Sequence, residues 1–214
     1  MNIKNIYPFF INNSVIPIGD LILGTSISRN YSFLIGSETW SREKLDSYRD
    51  KMFLKMLYFT YKHVPYYRET FSRRGLSLNQ FEGVKDIHKI PIIDKKIIKD
   101  NFSKFLPDNL DSSKIRLDST GGSTGVPMKY YVSNDSYSWS KAVLYRMYNR
   151  ANFKVGQKLV TLAGPSLSSR SNMNLKKQIF YGVVERSKKI SSFNLNDRKM
   201  YDYYNLIQDY RPLA

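Results

Sequence analysis

The sequence of 214 residues predicts an α/β protein in which helices flank a mixed sheet. Short apolar runs alternate with segments of helical periodicity along its second half, which favours a partly parallel sheet. The hydrophobic share of 42% is typical of globular proteins, so the chain can bury a core. We predict an N-terminal extension over residues 1–37 and one larger domain over residues 38–214.

The first long helix is predicted to begin after Ser41, a good N-cap, and to end before Pro65. Apolar side chains recur along it at spacings of three or four, which predicts its buried face. After it, Ile90–Ile93 is apolar but contains a proline, so we expect an extended segment and not a central strand. Asp94 is expected to cap a short helix. The predicted buried face of the long helix consists of Leu45, Tyr48, Met52, Met56, Phe59 and His63.

Two short strands are predicted on either side of a segment rich in glycine and hydroxyl residues. Ile115–Leu117 leads into that segment, and Lys129–Val132 returns from it. A helix capped by Ser133 or Asn134 follows. Its predicted apolar face consists of Tyr137, Leu144, Met147, Tyr148 and Ala151, and the later predicted elements are strands at Leu159–Ala163 and Ile190–Leu195 and a helix capped by Asn196.

The segment from Asp118 to Lys129 has the composition of a loop that binds phosphate. Glycines allow backbone N–H groups to converge on one point, and hydroxyls between them add donors. A Walker loop needs Gly-Lys five residues after its first glycine, but Val126 and Pro127 stand at those places. The Gly-x-Gly-x-x-Gly spacing of dinucleotide loops is also missing. The segment therefore belongs to neither common class.

The order Thr120-Gly121-Gly122-Ser123-Thr124-Gly125-Val126-Pro127 resembles the signature loop of adenylate-forming enzymes. There, a Ser/Thr-rich segment runs into Gly-Thr-Thr-Gly-x-Pro. Two upstream motifs, His63-Val64-Pro65-Tyr66-Tyr67-Arg68 and Ile90-Pro91-Ile92-Ile93-Asp94-Lys95, precede the loop in an order similar to that of the phenylacetate–CoA ligase group, especially its capsular polysaccharide (CapK-like) branch. The likeness runs from about Trp40 to the C-terminus and weakens after Ala163.

The resemblance implies the N-terminal part of the large domain of an adenylate-forming ligase. Such an enzyme uses ATP and Mg²⁺ to activate a carboxylate as acyl-AMP, and CoA can then accept the acyl group. Gly121 stands where the superfamily often has a second hydroxyl, and the lysine of the loop comes one place late. The implied phosphate-binding residues are Thr120, Gly121, Gly122, Ser123, Thr124, Gly125 and Lys129.

The other motifs of this family are not found before Ala214. They comprise the adenine-binding segment, the acidic residue near magnesium, the ribose-binding aspartate and the catalytic lysine. We therefore expect an N-terminal fragment that has no turnover by itself. No catalytic residue and no metal ligand is assigned within the chain.

The formal net charge of +16 leaves two other functions open. Together with 17 tyrosines, it could indicate a basic module that binds nucleic acid. A non-catalytic partner protein that retains the fold is the second alternative. The basic residues are scattered in short pairs such as Lys188-Lys189, which usually form solvated faces, so no specific nucleic acid is expected.

The N-terminus and the cysteine count bear on the compartment. No cysteine is present, which excludes disulfides and thiolate metal sites. The apolar run Tyr7–Ile11 is followed by Asn12, Asn13, Pro17 and Asp20, so we expect neither a signal peptide nor a membrane span. The expected location is the cytoplasm, and the oligomeric state is left open.

Overall fold

The computed structural model describes residues 6–120, 128–164, 182–192 and 195–213. It is a mixed α/β structure dominated by helices, which agrees with the predicted class. The chain forms two compact units. The first unit combines Met1–Ile35 with Leu117–Ala214, and the second is Gly36–Arg116. The predicted domains, residues 1–37 and 38–214, stay predictions.

The first unit begins with a continuous helical segment that contains one π-helical turn. It holds α1, Ile6–Phe10, the π-helix Ile11–Val15 and α2, Ile16–Leu23, and after a turn α3 covers Ile27–Gly36. The side-chain amides of Asn12 and Asn13 donate to the carbonyls of Pro8 and Phe9, at 2.6 and 2.8 Å, so both are satisfied within the segment.

The polar residues after Ile11 do not end this helical segment, so our expectation that no run approaches the length of a membrane span is wrong. Ile6–Leu23 is helical throughout its 18 residues, with a mean hydropathy of 1.3. Pro17 lies just after the π-helical turn, so the place where a helical hydrogen bond is lost coincides with a local change of helix type. The segment is thus long and apolar enough to cross a membrane. Length and composition do not separate such a span from a core helix or a signal sequence, and 28% of the segment is buried.

Asp20 joins α2 to α3. Its side chain is nearly buried, yet the carboxylate accepts four hydrogen bonds. They come from the backbone N–H groups of Ile27 and Ser28, at 2.9 and 2.8 Å, and from the hydroxyls of Thr25 and Ser28, both at 2.6 Å. Burial acts to raise the pKa of Asp20, but these donors outweigh it and hold the pKa below its ordinary value.

Helix α7, Asn134–Arg150, begins after its predicted cap Ser133 and packs beside these helices. Tyr137 and Tyr148 of its predicted apolar face pack against the core, but the most deeply buried side chains of the helix are others. Ser138 and Ala142 are fully buried, whereas Met147 is 60% exposed. The hydroxyl of Ser138 accepts the N–H of Ser26 at 3.0 Å, so the small side chains let the turn before α3 approach closely. The buried core cluster of the unit consists of Ile11, Ile16, Ile27, Tyr145, Val155 and Val184.

Strands β3, Leu159–Ala163, and β4, Ser187–Ser191, pair in parallel, with Leu159 opposite Ser187. The first strand and the parallel pairing agree with the sequence, whereas the second strand lies about three residues earlier than predicted. Helix α8, Asp197–Tyr210, follows its predicted cap Asn196. Two of its tyrosine hydroxyls donate to carbonyls of the β4 segment.

The second unit has a small aromatic core. Leu57 of α4 packs with Phe71 and Phe81, whose rings stack at 5.8 Å. The predicted buried face of α4 is wrong, because Met56 and Phe59 are exposed and Leu57 is buried. Apolar and charged side chains are mixed around the axis of this helix, so their spacing does not define one buried face. The contacts of Leu57 with Phe71 and Phe81 determine it. The helices of this unit are α4, Arg42–His63; α5, Pro65–Arg73; and α6, Lys95–Asp100, with 3₁₀ turns at Leu78–Gln80, Val84–Lys89, Phe102–Phe105 and Ser112–Lys114.

We expect Asp20→Asn to lower the free energy of unfolding by about 2 kcal/mol, because a buried charged acceptor is lost. The low pKa means that the carboxylate stabilises the fold above the ordinary aspartate pKa, and that this contribution disappears as the pH falls through the folded pKa. Urea unfolding of both proteins at neutral and acidic pH measures the effect. Asp202→Asn, at an exposed position of α8, is the control. Equal stability of D20N and the parent at neutral pH would contradict the role of Asp20.

Candidate functional site

The predicted phosphate loop connects two paired strands of the first unit. Strand β1, Ile115–Ser119, and strand β2, Lys129–Ser133, form a two-stranded sheet, so both predicted strands are confirmed. The N–H of Thr120 donates to the carbonyl of Met128 at 3.0 Å, and the N–H of Met128 donates to Oγ1 of Thr120 at 3.0 Å. These two bonds hold both ends of the seven-residue loop together.

Five of the seven predicted phosphate-binding residues lie outside the described residues, so their roles stay predictions. They are Gly121, Gly122, Ser123, Thr124 and Gly125.

Thr120 and Lys129 are described. The hydroxyl oxygen of Thr120 accepts a bond, which leaves its hydrogen able to donate to an anion. Lys129 is exposed at the start of β2, directly after Met128. The base of the loop therefore offers one hydroxyl donor and one cation.

The return strand of the hairpin runs directly into a long capped helix. Ser133 ends β2, and its hydroxyl accepts the N–H of Ser136 at 3.0 Å. Asp135 complements the positive end of α7. Because α7 is anchored in the core through Ser138 and Tyr145, the residues that follow the loop are fixed by a packed element.

Within the second unit, the His63–Arg68 motif binds the segment that leads to β1. The ring Nδ1 of His63 lies 3.2 Å from Asp108 Oδ1, and the guanidinium of Arg68 lies 3.3 Å from Asp108 Oδ2. The N–H of Asp108 also donates to the carbonyl of His63 at 2.7 Å. Hydrogen bonds from His63 and then Arg68 lower the pKa of Asp108 despite opposing desolvation, so the carboxylate stays charged in this contact. His63 also packs against Phe59, and this is a structural role.

The second motif is extended, as predicted, and lines a cavity. Ile90 has extended backbone angles, and the carboxylate of Asp94 caps α6 by accepting the N–H of Ile97 at 2.8 Å. Together with α4, the motif borders a largely apolar cavity of about 620 Å³ in the second unit. The lining of this cavity is suited to an apolar group.

The described part of the chain contains no side-chain cluster typical of a metal site. In those ranges, no group of three or more His, Asp or Glu side chains could hold a metal ion. We assign no Mg²⁺ ligand among the described residues.

Sequence reasoning missed the structural roles of two residues. Met128 closes the loop through its backbone, and the predicted return strand could have indicated this pairing. Asp108 gave no signal, because its partners His63 and Arg68 lie 45 and 40 residues away in sequence.

Curated proteins of known function resemble part of this chain. It is 27% identical over 107 residues to the phenylacetate-coenzyme A ligases of Thermus thermophilus and Escherichia coli, which covers 50% of this chain and 24% of each relative. A phenylacetate-coenzyme A ligase of Pseudomonas putida is 27% identical over 123 residues, which covers 57% of this chain and 28% of the relative. No protein-family profile matches the chain.

The chain thus spans only about a quarter of the length of these relatives. The expected similarity to phenylacetate–CoA ligases is confirmed at this level, and it supports the adenylate-forming resemblance. The capsular polysaccharide branch and the fragment status stay predictions.

Thr120→Val should open the base of the loop, because valine cannot accept the N–H of Met128. Loss of one such bond corresponds to about 1 kcal/mol, or roughly a fivefold loss of hydrogen-exchange protection at the Met128 amide. Thr120→Ser keeps the hydroxyl and is the matched control. Equal protection in all three proteins, measured by NMR, would rule out this closure.

Proposed function

We propose that this chain is the N-terminal part of an ATP-dependent ligase that activates a carboxylate as acyl-AMP. The observation that carries the proposal is the Thr120–Met128 pair, which closes a loop with the residue order of an adenylation loop. Similarity to three phenylacetate–CoA ligases supports the same class.

In the proposed reaction, a carboxylate oxygen attacks the α-phosphorus of ATP, and the bond to the pyrophosphate oxygen breaks. Negative charge then grows on the leaving pyrophosphate. Fixed donors near this charge lower the barrier because they are oriented before the reaction begins. The proposed donors are the hydroxyls of Thr120, Ser123 and Thr124, the amides of Gly121, Gly122 and Gly125, and the ammonium of Lys129.

The closed base fits this role. Two hydrogen bonds fix the loop at its ends, while the glycines between them leave its tip able to adapt to phosphate. When bound, Mg²⁺ would neutralise part of the phosphate charge. The proposed partners are a nucleotide and a small carboxylate, with CoA as the acceptor of the acyl group.

The biological setting belongs to the same proposal. We place the protein in the cytoplasm, where ATP and CoA are available. The likeness to the CapK-like branch suggests a role in capsular or surface polysaccharide synthesis.

The loop assignment is tested with Ser123→Ala and Thr124→Ala in a longer protein that contains this chain. The double variant should slow pyrophosphate exchange by about 10²-fold or more, since two donors are removed at the charge that develops. Ser140→Ala, at an exposed position of α7, is the matched control. Exchange at the parent rate in the double variant would refute the assignment.

We expect the 214-residue chain alone to release no pyrophosphate when supplied with ATP, Mg²⁺ and phenylacetate. The proposed enzyme needs residues that have no counterpart among the motifs of this chain. Release that depends on the carboxylate, measured with the purified chain, would contradict this expectation.

A further inference from the structure

Several cations gather where the two parallel strands of the first unit begin. Lys158 directly precedes β3, and Arg186 directly precedes β4. The N–H of Leu159 donates to the carbonyl of Arg186 at 3.2 Å, so the strand register itself places these two residues side by side. Parallel pairing thus brings together charges that are 28 residues apart in sequence.

Aromatic rings of the first unit hold these cations in place. The ammonium groups of Lys158 and Lys188 lie 4.9 and 4.5 Å from the ring centre of Tyr210, and the guanidinium of Arg186 lies 4.6 Å from that of Tyr7. Lys158 also donates to the carbonyl of Tyr210 at 2.9 Å. Rings and carbonyls orient a cation without neutralising its charge.

Three of the cations line one cavity of about 480 Å³: Lys158, Arg186 and Arg211. The rest of its lining is glycine, glutamine, proline and leucine, without a carboxylate. Glu185 is next to Arg186 in sequence, but it pairs with Lys141. In the described ranges, none of the three lining cations forms an ion pair with an acidic side chain within 4.0 Å.

Two of these cations also have an unfavourable backbone conformation. Arg186 and Arg211 have φ angles of 40° and 48°, in the left-handed region. The other such non-glycine residue in the described ranges is Asn152, a residue type that tolerates this region well. Both arginines directly follow a helical turn, and their N–H groups donate to the carbonyls of Gly182 and Ile207, at 3.2 and 2.9 Å. Glycine or asparagine suits such a position better, so the two arginines place their charge beside the cavity at a cost in backbone energy.

We propose that this cavity is an anion site that binds a phosphate-bearing ligand. Two guanidinium groups and one ammonium provide the donors that phosphate oxygens prefer, and the volume exceeds that of a single phosphate. The described lining of the cavity contains no residue of the predicted phosphate loop, so we propose it as a second site. A soluble diphosphate and an anionic lipid headgroup carry the same chemistry.

The test uses the purified 214-residue chain and pyrophosphate as the probe, with calorimetry as the readout. Arg186→Asn and Arg211→Asn together remove two charges and insert a residue that suits the left-handed backbone. We expect at least a roughly tenfold weaker affinity, since two charge-assisted contacts are lost, and an unchanged or higher unfolding midpoint. Lys154→Gln with Arg198→Gln removes the same charge from exposed positions outside the cavity and should bind as the parent does.

Two further experiments test whether the predicted phosphate loop contributes to binding and whether the ligand is a lipid headgroup. We expect Ser123→Ala with Thr124→Ala to retain binding, since neither residue belongs to the described lining of the cavity. Co-sedimentation with phosphatidylglycerol vesicles, compared with phosphatidylcholine vesicles, tests a headgroup. Binding of pyrophosphate or of anionic vesicles that is lost in the arginine variant and kept in the charge-matched control supports the site. Absence of both, or equal loss in the two charge variants, overturns it.

Discussion

The reciprocal contact between Thr120 and Met128 is the constraint on which the candidate loop depends. A loop with three glycines loses much conformational entropy when it becomes ordered around a ligand. Two hydrogen bonds at its base, each 3.0 Å long, fix the two ends in advance, and this lowers the entropy cost of binding. The hydroxyl of Thr120 serves the closure as an acceptor and can still serve an anion as a donor, so one side chain joins the structural and the chemical role.

Features that depend on neighbouring residues, such as helix starts, could be predicted from the sequence. Features that depend on tertiary contacts, such as buried faces, could not. Helix starts were predicted correctly because a cap bonds an amide only two or three residues away. Buried faces were predicted less well, because apolar and charged residues are mixed around the long helix α4, so a three-to-four spacing fits several of its faces. On α7, the close approach of Ser26 buries Ser138, which no hydropathy pattern indicates. The correctly predicted caps are Ser41, Asp94, Ser133 and Asn196.

The same division applies to the site. The order of residues from Thr120 to Pro127 indicated phosphate binding, because the chemistry resides in a contiguous segment. The contacts that support this part of the chain could not be predicted, because they join residues distant in sequence. Asp108 is held by His63 and Arg68, and the motif that contains both was recognised only as a resemblance. The structure gives that motif a physical task within the second unit, which is to fix the chain before β1.

The buried carboxylate of Asp20 and the cations at the start of β3 and β4 differ in how their charge is compensated. The buried carboxylate of Asp20 is satisfied by four donors, as a charge removed from water must be. In sequence, the excess of basic residues looked like scattered, solvated charge, and Lys188-Lys189 was interpreted in that way. Folding changes this for one group, since β3 and β4 pair in parallel and gather Lys158, Arg186 and Lys188 around tyrosine rings. Like charges held close together repel one another. The cavity is lined by Lys158, Arg186 and Arg211, and its described lining contains no acidic side chain to balance them. An anion from outside the chain would remove that repulsion, which is why this cavity, and not the net charge, is the argument for a ligand.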